Sequence, residues 1–514
     1  MIKIDPQTWK DDLEEFREKT DRFYSGEMDK NAYKGFSGGY GSYAQRGGKA
    51  GMLRLRMPGG RLTKEKLAFV AGSIEKHQID KVHLTTCQTI QLHNLQPEAL
   101  YDIMERALDC GIVTRGGGGD FPRNAMVSPL SGVERGEYFD VMPYAEAAGE
   151  YMMSFIRAEK MPRKLKVGFS NGPANQPHAT FRDLGFAARP DGTFDVYSAG
   201  GLGNNPKFGL LVAEAVEPAK ILYYIRAMRE LFLTYGNYEN RGRARTRYMR
   251  DTLGEEGYVQ AYQEKLQAVL ASGENLDLSL TVPAVTKTGD GTAAEGRRVI
   301  PQKQEGLYAV EYHPIGGCPE PGKFRELYEV IQDMEAAELR IAPDETLYII
   351  NLTGKEADRV RKATEDGARS LFETSVSCIG ASICQVGVQD SQKLLGECLA
   401  AVREAGIEDG ALPVIHISGC PSSCGTHQTG EIGFHGGMKM IEKKPHPAFT
   451  LHVNGCDLQG KERMGEVVGV MLSDKIPSFL VALGRMVQAS GLPYCEWKKD
   501  HIEDVKTLAE EYLA

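Results

Sequence analysis

The sequence predicts an α+β fold built twice from one pattern of strands and helices. Two observations carry that prediction: strand-period and helix-period segments alternate along the chain, and their order returns in the second half at a constant offset. In the first copy, Met52-Leu53-Arg54-Leu55-Arg56-Met57 alternates apolar and basic side chains as a half-buried strand does, and Pro58-Gly59-Gly60 ends it. Thr63 is a candidate N-cap for a helix whose Leu67, Val70, Ala71 and Ile74 share one face. Val82 to His93 then reads as a strand and Pro97 to Leu108 as a second helix. From Gly306 the order repeats: a strand through Leu307 to Tyr312, Gly316-Gly317, a helix with Leu327, Val330, Ile331 and Met334 on one face, and a strand ending in Leu347 to Leu352. Asn94-Leu95 corresponds to Asn351-Leu352, and Gly59-Gly60 to Gly316-Gly317, at the same offset.

A second pair of segments also matches. Val167-Gly168-Phe169-Ser170 leads to Asp183-Leu184-Gly185-Phe186, as Ile415-His416-Ile417-Ser418 leads to Glu431-Ile432-Gly433-Phe434. A β-α-β-α half can complete a layered sheet with its twin, and a stretch rich in Gly, Thr and Ala around Thr286 to Glu295 separates the copies. The expected division is an N-terminal arm (1–47), a first half-domain (48–115), a first larger α/β module (116–285), a linker (286–303), a second half-domain (304–368) and a second larger module (369–514).

With 514 residues, 41% of them hydrophobic, the chain is long enough for several cores. Its 61 basic and 70 acidic side chains give a net charge of −9, which supplies no global field for nucleic acid or an anionic membrane. Anions therefore have to be met by local clusters, such as Arg54 with Arg56, or the run Arg241, Arg243, Arg245, Arg247. The run also reads as a solvated helix face. No stretch approaches the roughly 20 apolar residues of a membrane helix, and ten cysteines in so long a chain make no disulfide framework. A reducing, cytoplasmic setting is expected.

The cysteines carry the chemistry. Cys378 and Cys384 form C-x5-C, and Cys420 and Cys424 form C-x3-C within Ser418-Gly419-Cys420-Pro421-Ser422-Ser423-Cys424-Gly425. Flanking glycines let the backbone approach an inorganic core and aim N–H groups at sulfur. Structural zinc usually draws its ligands from tighter knuckles, so an iron–sulfur cluster fits the spacing better; four unrelated buried thiols are the remaining reading. Gly419-Cys420, then Cys424, then Glu431-Ile432-Gly433-Phe434 is similar to the signature of the sulfite and nitrite reductase family, which carries siroheme and a [4Fe–4S] cluster; Cys378-Ile379-Gly380 with Cys384 resembles its first cysteine pair.

The resemblance extends over nearly the whole chain. It implies two ferredoxin-like half-domains that pair, plus two larger α/β modules enclosing the cofactors. It implies cluster ligation by Cys378, Cys384, Cys420 and Cys424, with Cys424 also bridging to the siroheme iron. Siroheme is a polycarboxylate and needs cations and donors around it. His83, Cys87 and Gln91, with Thr85 and Thr89 on the same face, fall on the family's siroheme-contacting strand. Gln91 matches cleanly, whereas His83 and Cys87 stand where relatives often have arginine, and Ser422 where they often have asparagine. The basic Arg241 to Tyr248 segment resembles one that lies near the siroheme.

For the substrate, the resemblance implies Arg54, Arg123, Lys164 and Lys166, the last two in Pro162-Arg163-Lys164-Leu165-Lys166, with Arg163 beside them toward the cofactor. Small oxyanions that lose oxygen as water need positive charge and proton donors, which arginine and lysine supply. Without the resemblance the lysines read as a charged strand edge. Relatives that reduce nitrite often replace the second lysine by asparagine, so Lys166 leans toward sulfite. The implied reaction is six-electron reduction of sulfite to sulfide, with nitrite to ammonia as the alternative. A non-catalytic iron–sulfur protein that has lost siroheme is a further alternative. No dinucleotide fingerprint opens a βαβ unit, so electrons are expected from ferredoxin or a separate donor subunit.

Other features read as structural. Gly116 to Gly119 is taken as a flexible turn before Asp120, since no P-loop follows. Cys110, Cys318, Cys398, Cys456 and Cys495 are scattered, and His416, His427 and His435 are read as satisfied buried histidines.

Overall fold

The computed structural model describes residues 6–158, 160–282 and 284–514. Each predicted repeat is present as a sheet. In the first half, Ser42–Ala44, Gly51–Arg56, Thr89–Leu95 and Val82–Leu84 lie side by side, every pair antiparallel. In the second, Val299–Pro301, Tyr308–Tyr312, Leu347–Leu352 and Glu338–Ile341 repeat that order, and Arg61–Leu62 crosses from the first half to extend the edge. The outermost strands, Ser42–Ala44 and Val299–Pro301, fall in stretches read as arm and linker, yet each pairs as its twin does.

The duplication reaches individual dihedral angles. Gly59 and Gly316 turn at φ 64° and 59°, Gly60 and Gly317 at 69° and 68°, and Asn94 and Asn351 at 59° and 61°. Left-handed backbone suits glycine and is tolerated by asparagine, which explains why these residue types recur. Asn94 N–H donates to Gln45 Oε1 at 2.8 Å, and Asn351 N–H to Gln302 Oε1 at 2.7 Å. Thr63 caps the helix Lys64–Lys76 through its hydroxyl, as expected, and Thr353 closes a full capping box with Glu356 on Gly354–Ala363.

The two half-domains share one core. Leu53, Leu55, Leu67, Ile90 and Leu92 from the first pack with Val310, Leu327, Leu339 and Ile349 from the second in a single buried cluster. Two larger sheets flank this unit. One runs Pro122–Val127, Leu165–Ser170, Leu184–Ala188, Phe194–Ser198, Leu210–Val216; the other runs Val376–Ser377, Ile415–Ser418, Ile432–Ile441, Lys444–Val453, Glu466–Leu472. Both open with two parallel pairings and finish with two antiparallel ones. Gly185 and Gly433 occupy matching places, where a Cβ would sit 1.7 Å from the Ala179 carbonyl oxygen and 1.9 Å from that of His427. No helix among the described residues is long and apolar enough to cross a membrane.

Two local readings are corrected. Val82 to His93 is a hairpin, Val82–Leu84 and Thr89–Leu95, because Gln88 takes φ 55° and Thr85 bonds back to Thr89. His83, Thr85, Thr89 and Gln91 therefore share a face across two strands, His83 opposite Gln91 and Thr85 bonded to Thr89, with Cys87 at the turn, rather than lining a single strand. The strand Gly51–Arg56 is buried on both faces rather than half-buried, since the glycine loop covers its basic side.

Candidate active site

Gly116 to Gly119 is a packed loop and no flexible turn. A Cβ on Gly117 would lie 2.9 Å from the Thr114 oxygen, and one on Gly118 would lie 2.5 Å from the Gly38 oxygen. Only bare backbone fits there, and its carbonyls face the basic strand. Arg54 Nη1 donates to Gly117 O, Arg123 Nη1 to the same oxygen at 2.9 Å, and Arg123 Nη2 to Gly119 O at 2.7 Å. With the Gln91 amide oxygen turned toward it, Arg54 Nη2 also donates to Gln91 at 2.5 Å. The loop thus aims two guanidinium groups into the same space.

Lys164 and Lys166 enter from the next sheet. Lys166 N–H donates to Asp183 Oδ2 at 2.8 Å; Arg245 Nη2 and Thr246 Oγ1 fill the remaining oxygens of that carboxylate at 2.9–3.0 and 2.5 Å. Burial alone would raise the Asp183 pKa, but Arg245, Thr246 and the Lys166 N–H hold it low. Lys164 is pushed well below an ordinary lysine, by burial first and then by Arg245, Lys166 and Arg123. Burial, with Arg182 and Arg245, likewise lowers Lys166, whose Nζ lies 3.3 Å from Cys87 Sγ. Burial would raise the Cys87 thiol, yet Lys166, Arg182 and Arg54 bring it down to about 6.

The remaining expected cofactor residues divide. Cys87 and Gln91 lie against the cationic group through Lys166 and Arg54. His83 instead points Nε2 to within 3.4 Å of the buried Glu345, a carboxyl raised by burial. Arg163 is engaged by Asp120 at 2.6 Å, which also takes Arg241. Ser422 is exposed, with its carbonyl facing Gly203. Sequence reasoning missed Arg182 as an individual contributor and left Arg245 and Arg247 undivided from the run. Arg241 and Arg243 are exposed, whereas Arg245 and Arg247 turn inward. The even spacing of two carries no sign of such a split; the packing of two short 3-10 turns decides it.

The four cysteines converge beneath the lysines. Cys378 is pushed up to about 12, by burial first and then by Cys424. Cys424 is raised by burial, with Cys420 and Cys384 adding to the rise and Lys164 and Lys166 opposing it. Gly419 N–H donates to Cys378 Sγ at 3.2 Å, as the flanking-glycine argument expects. A single zinc ion would hold sulfurs about 3.8 Å apart, twice the 2.3 Å bond resolved over a tetrahedron. Among the described residues, no three of these sulfurs lie within 4.8 Å of one another, which suits a larger inorganic core. Thr86 Oγ1 donates to Cys424 O at 2.8 Å, and Arg46 Nη2 to Gly387 O at 2.7 Å, so the first half-domain grips both cysteine loops.

Cys424 is strongly desolvated yet keeps accessible surface, as do Arg123, Lys164 and Lys166. That combination marks side chains lining an internal hollow. Arg123 Nε is buried there without a partner among the described residues, and its Nη atoms meet only backbone carbonyls. Buried cations without matching acids are costly, so the hollow is built for an anion, and a polycarboxylate macrocycle above a thiolate-bound cluster fits it.

Comparison with known proteins agrees. Residues 43–110 match the nitrite/sulfite reductase ferredoxin-like half domain, and residues 118–270 match the nitrite and sulphite reductase 4Fe-4S domain. The chain is 27% identical to a ferredoxin–nitrite reductase of Synechococcus elongatus over 405 residues, 75% of this chain and 76% of that one. It is 23% identical to sulfite reductase [ferredoxin] 1 of Mycolicibacterium paratuberculosis, covering 75% and 69% of the two chains. The Mycobacterium tuberculosis NirA structure superposes with a TM-score of 0.78 at 22% identity, covering 95% of this chain and 94% of NirA, and so shares its fold. Duplicated sheets, four converging cysteines, a cationic hollow and these matches place the chain in the siroheme and [4Fe–4S] sulfite and nitrite reductase family, as an oxidoreductase using both cofactors.

Proposed function

We propose that the chain catalyses the six-electron reduction of sulfite to sulfide, with Arg54, Arg123, Lys164 and Lys166 binding the oxyanion. The observation that carries this reading is the pair of desolvated lysines, both present and both electrostatically linked to Cys424. Siroheme and its cluster, when bound, supply the electrons one at a time. Cys378, Cys384, Cys420 and Cys424 would hold the cluster; Gln91, Cys87, His83, Arg163 and Ser422 would edge the macrocycle. The arginines orient the anion, being charged at every working pH. The lysines, their charge destabilised by burial, release protons more readily than exposed lysines and can protonate oxygens that leave as water. The packed glycine loop fixes Arg54 and Arg123 before substrate arrives, so little reorganisation is needed. Ferredoxin, or a separate donor protein, would deliver the electrons.

Nitrite reduction to ammonia is the second reading, favoured by the ferredoxin–nitrite reductase likeness at 27% identity. An anaerobic absorption spectrum with iron and acid-labile sulfide analysis, followed by steady-state reduction of both anions with an artificial one-electron donor, separates the two. A higher kcat/KM for sulfite supports the proposal, and the opposite ranking selects nitrite.

A further inference from the structure

Behind the second cysteine loop lies a group of three histidines that the oxyanion chemistry does not use. His435 and His452 stand on neighbouring antiparallel strands, where Gly433 faces His452 and Thr450 faces His435, so the two imidazoles sit diagonally on one sheet face. His427 reaches the same point from the loop after Cys424. The ring centroids lie 4.9 Å (His427–His435), 4.9 Å (His427–His452) and 5.1 Å (His435–His452) apart, and one ligand atom from each falls within 4.8 Å of the others. His435 Nδ1 and His452 Nε2 are only 2.9 Å apart.

Two of the three rings have their outer nitrogen engaged. His427 Nδ1 is 2.9 Å from Ser418 Oγ, and the Gly465 backbone lies close enough to His452 to favour a proton on its outer nitrogen. With the outer nitrogen of His452 protonated, its Nε2 lone pair turns inward and accepts from His435 Nδ1–H; a metal would take the place of that proton, with His435 shifting to its other tautomer. His427 and His452 are buried and His435 half-buried, and the charged forms of all three are disfavoured, so neutral imidazoles, the form that binds metal, are what the fold holds. In a tetrahedral site with metal–nitrogen bonds near 2.05 Å, ligand nitrogens stand about 3.3 Å apart, which small ring movements reach from here.

We infer that His427, His435 and His452 bind one divalent transition-metal ion of the zinc class, with an exogenous water completing the shell. The ion ties the loop that follows Cys424 to the hairpin of Ile432–Ile441 and Lys444–Val453, and so braces the cluster-bearing cysteines from behind. Imidazoles without carboxylates favour zinc over magnesium or calcium. The site requires only the fold and is independent of which oxyanion is reduced.

The test uses the holoenzyme, so that the four cysteines are occupied by iron and cannot scavenge zinc. Buffered Zn2+ is titrated with the chain, and bound zinc and iron are counted by elemental analysis. One zinc per chain in addition to the iron is expected, together with a zinc-dependent rise in Tm. His435→Ala should weaken uptake at least about 100-fold, beyond the 10–100-fold typical of losing a group that only orients a ligand. Zinc-edge X-ray absorption on the wild-type protein should show imidazole scattering and no sulfur near 2.3 Å. A holoenzyme that takes up no zinc, equal uptake by the His435→Ala protein, or sulfur in the zinc shell would each overturn the site. If His435→Ala loses its cluster, the wild-type titration and absorption spectrum still decide.

Discussion

Lys164 immediately precedes the strand Leu165–Ser170 and Lys166 lies on it, and the two face different neighbours. Lys164 is crowded by Arg245 and Arg123, while Lys166 contacts Cys87. Lys164→Arg keeps the charge and removes a readily released proton; kcat is expected to fall roughly 10²-fold with a smaller change in KM, the lower end of what general acids contribute. Because burial lowers the Lys164 pKa, the protonated form disappears at lower pH than for a free lysine. Turnover should therefore decline on the alkaline side earlier than an ordinary ammonium would allow, and pH–rate profiles of the two proteins check this. Lys166→Asn is expected to move the sulfite-to-nitrite ratio of kcat/KM toward nitrite; an unchanged ratio would show that selectivity lies elsewhere. Cys424→Ser should lose both cofactors, read directly from the absorption spectrum and iron content.

At the scale of elements, the parallel crossovers of the two larger modules depend on glycines that let one strand pass beneath a loop. Gly185→Ala and Gly433→Ala drive a Cβ into the carbonyls of Ala179 and His427 respectively, and backbone cannot step aside cheaply. Each substitution is expected to cost about 2–3 kcal/mol, visible in denaturant midpoints. Gly433→Ala should also reduce cluster content, since the loop it displaces follows Cys424, whereas Gly185→Ala should not. Equal loss of iron in both would refute the division of labour between the twins.

Across the whole molecule, the half-domains fold as one body because their cores merge. Leu339→Ala, in the second half, is therefore expected to destabilise both halves together, by about 2–5 kcal/mol in a single transition. Acid sensitivity also belongs to this scale. Burial pushes His313, bonded to Thr346 Oγ1 at 2.9 Å, down to about 4. An unfolded chain binds that proton near pH 6.5 while the folded one refuses it, so stability rises with pH through this window and is lost as pH falls from about 6.5 toward 4. His313→Asn should flatten the dependence of Tm on pH there.

The sequence by itself determined the duplication, the cysteine framework and the basic residues that converge near it. Each is written in local residue types: asparagine and glycine where the backbone turns left-handed, cysteines flanked by glycine, basic residues spaced by two. Only the tertiary structure decided which side chains share a space. Val82 to His93 looked like one strand because its apolar alternation runs through the turn, and the left-handed Gln88 that breaks it carries no sequence flag. Gly116 to Gly119 looked mobile because glycine signals freedom, but packing against Thr114 and Gly38 uses the missing Cβ as room and makes the loop a packed wall holding Arg54 and Arg123. His452 had no reason to be grouped with His427 and His435 until the strand register set them on one face. Period and residue type act within a few neighbours along the chain, whereas a site is made by distances between segments far apart in it, and those are fixed by packing alone.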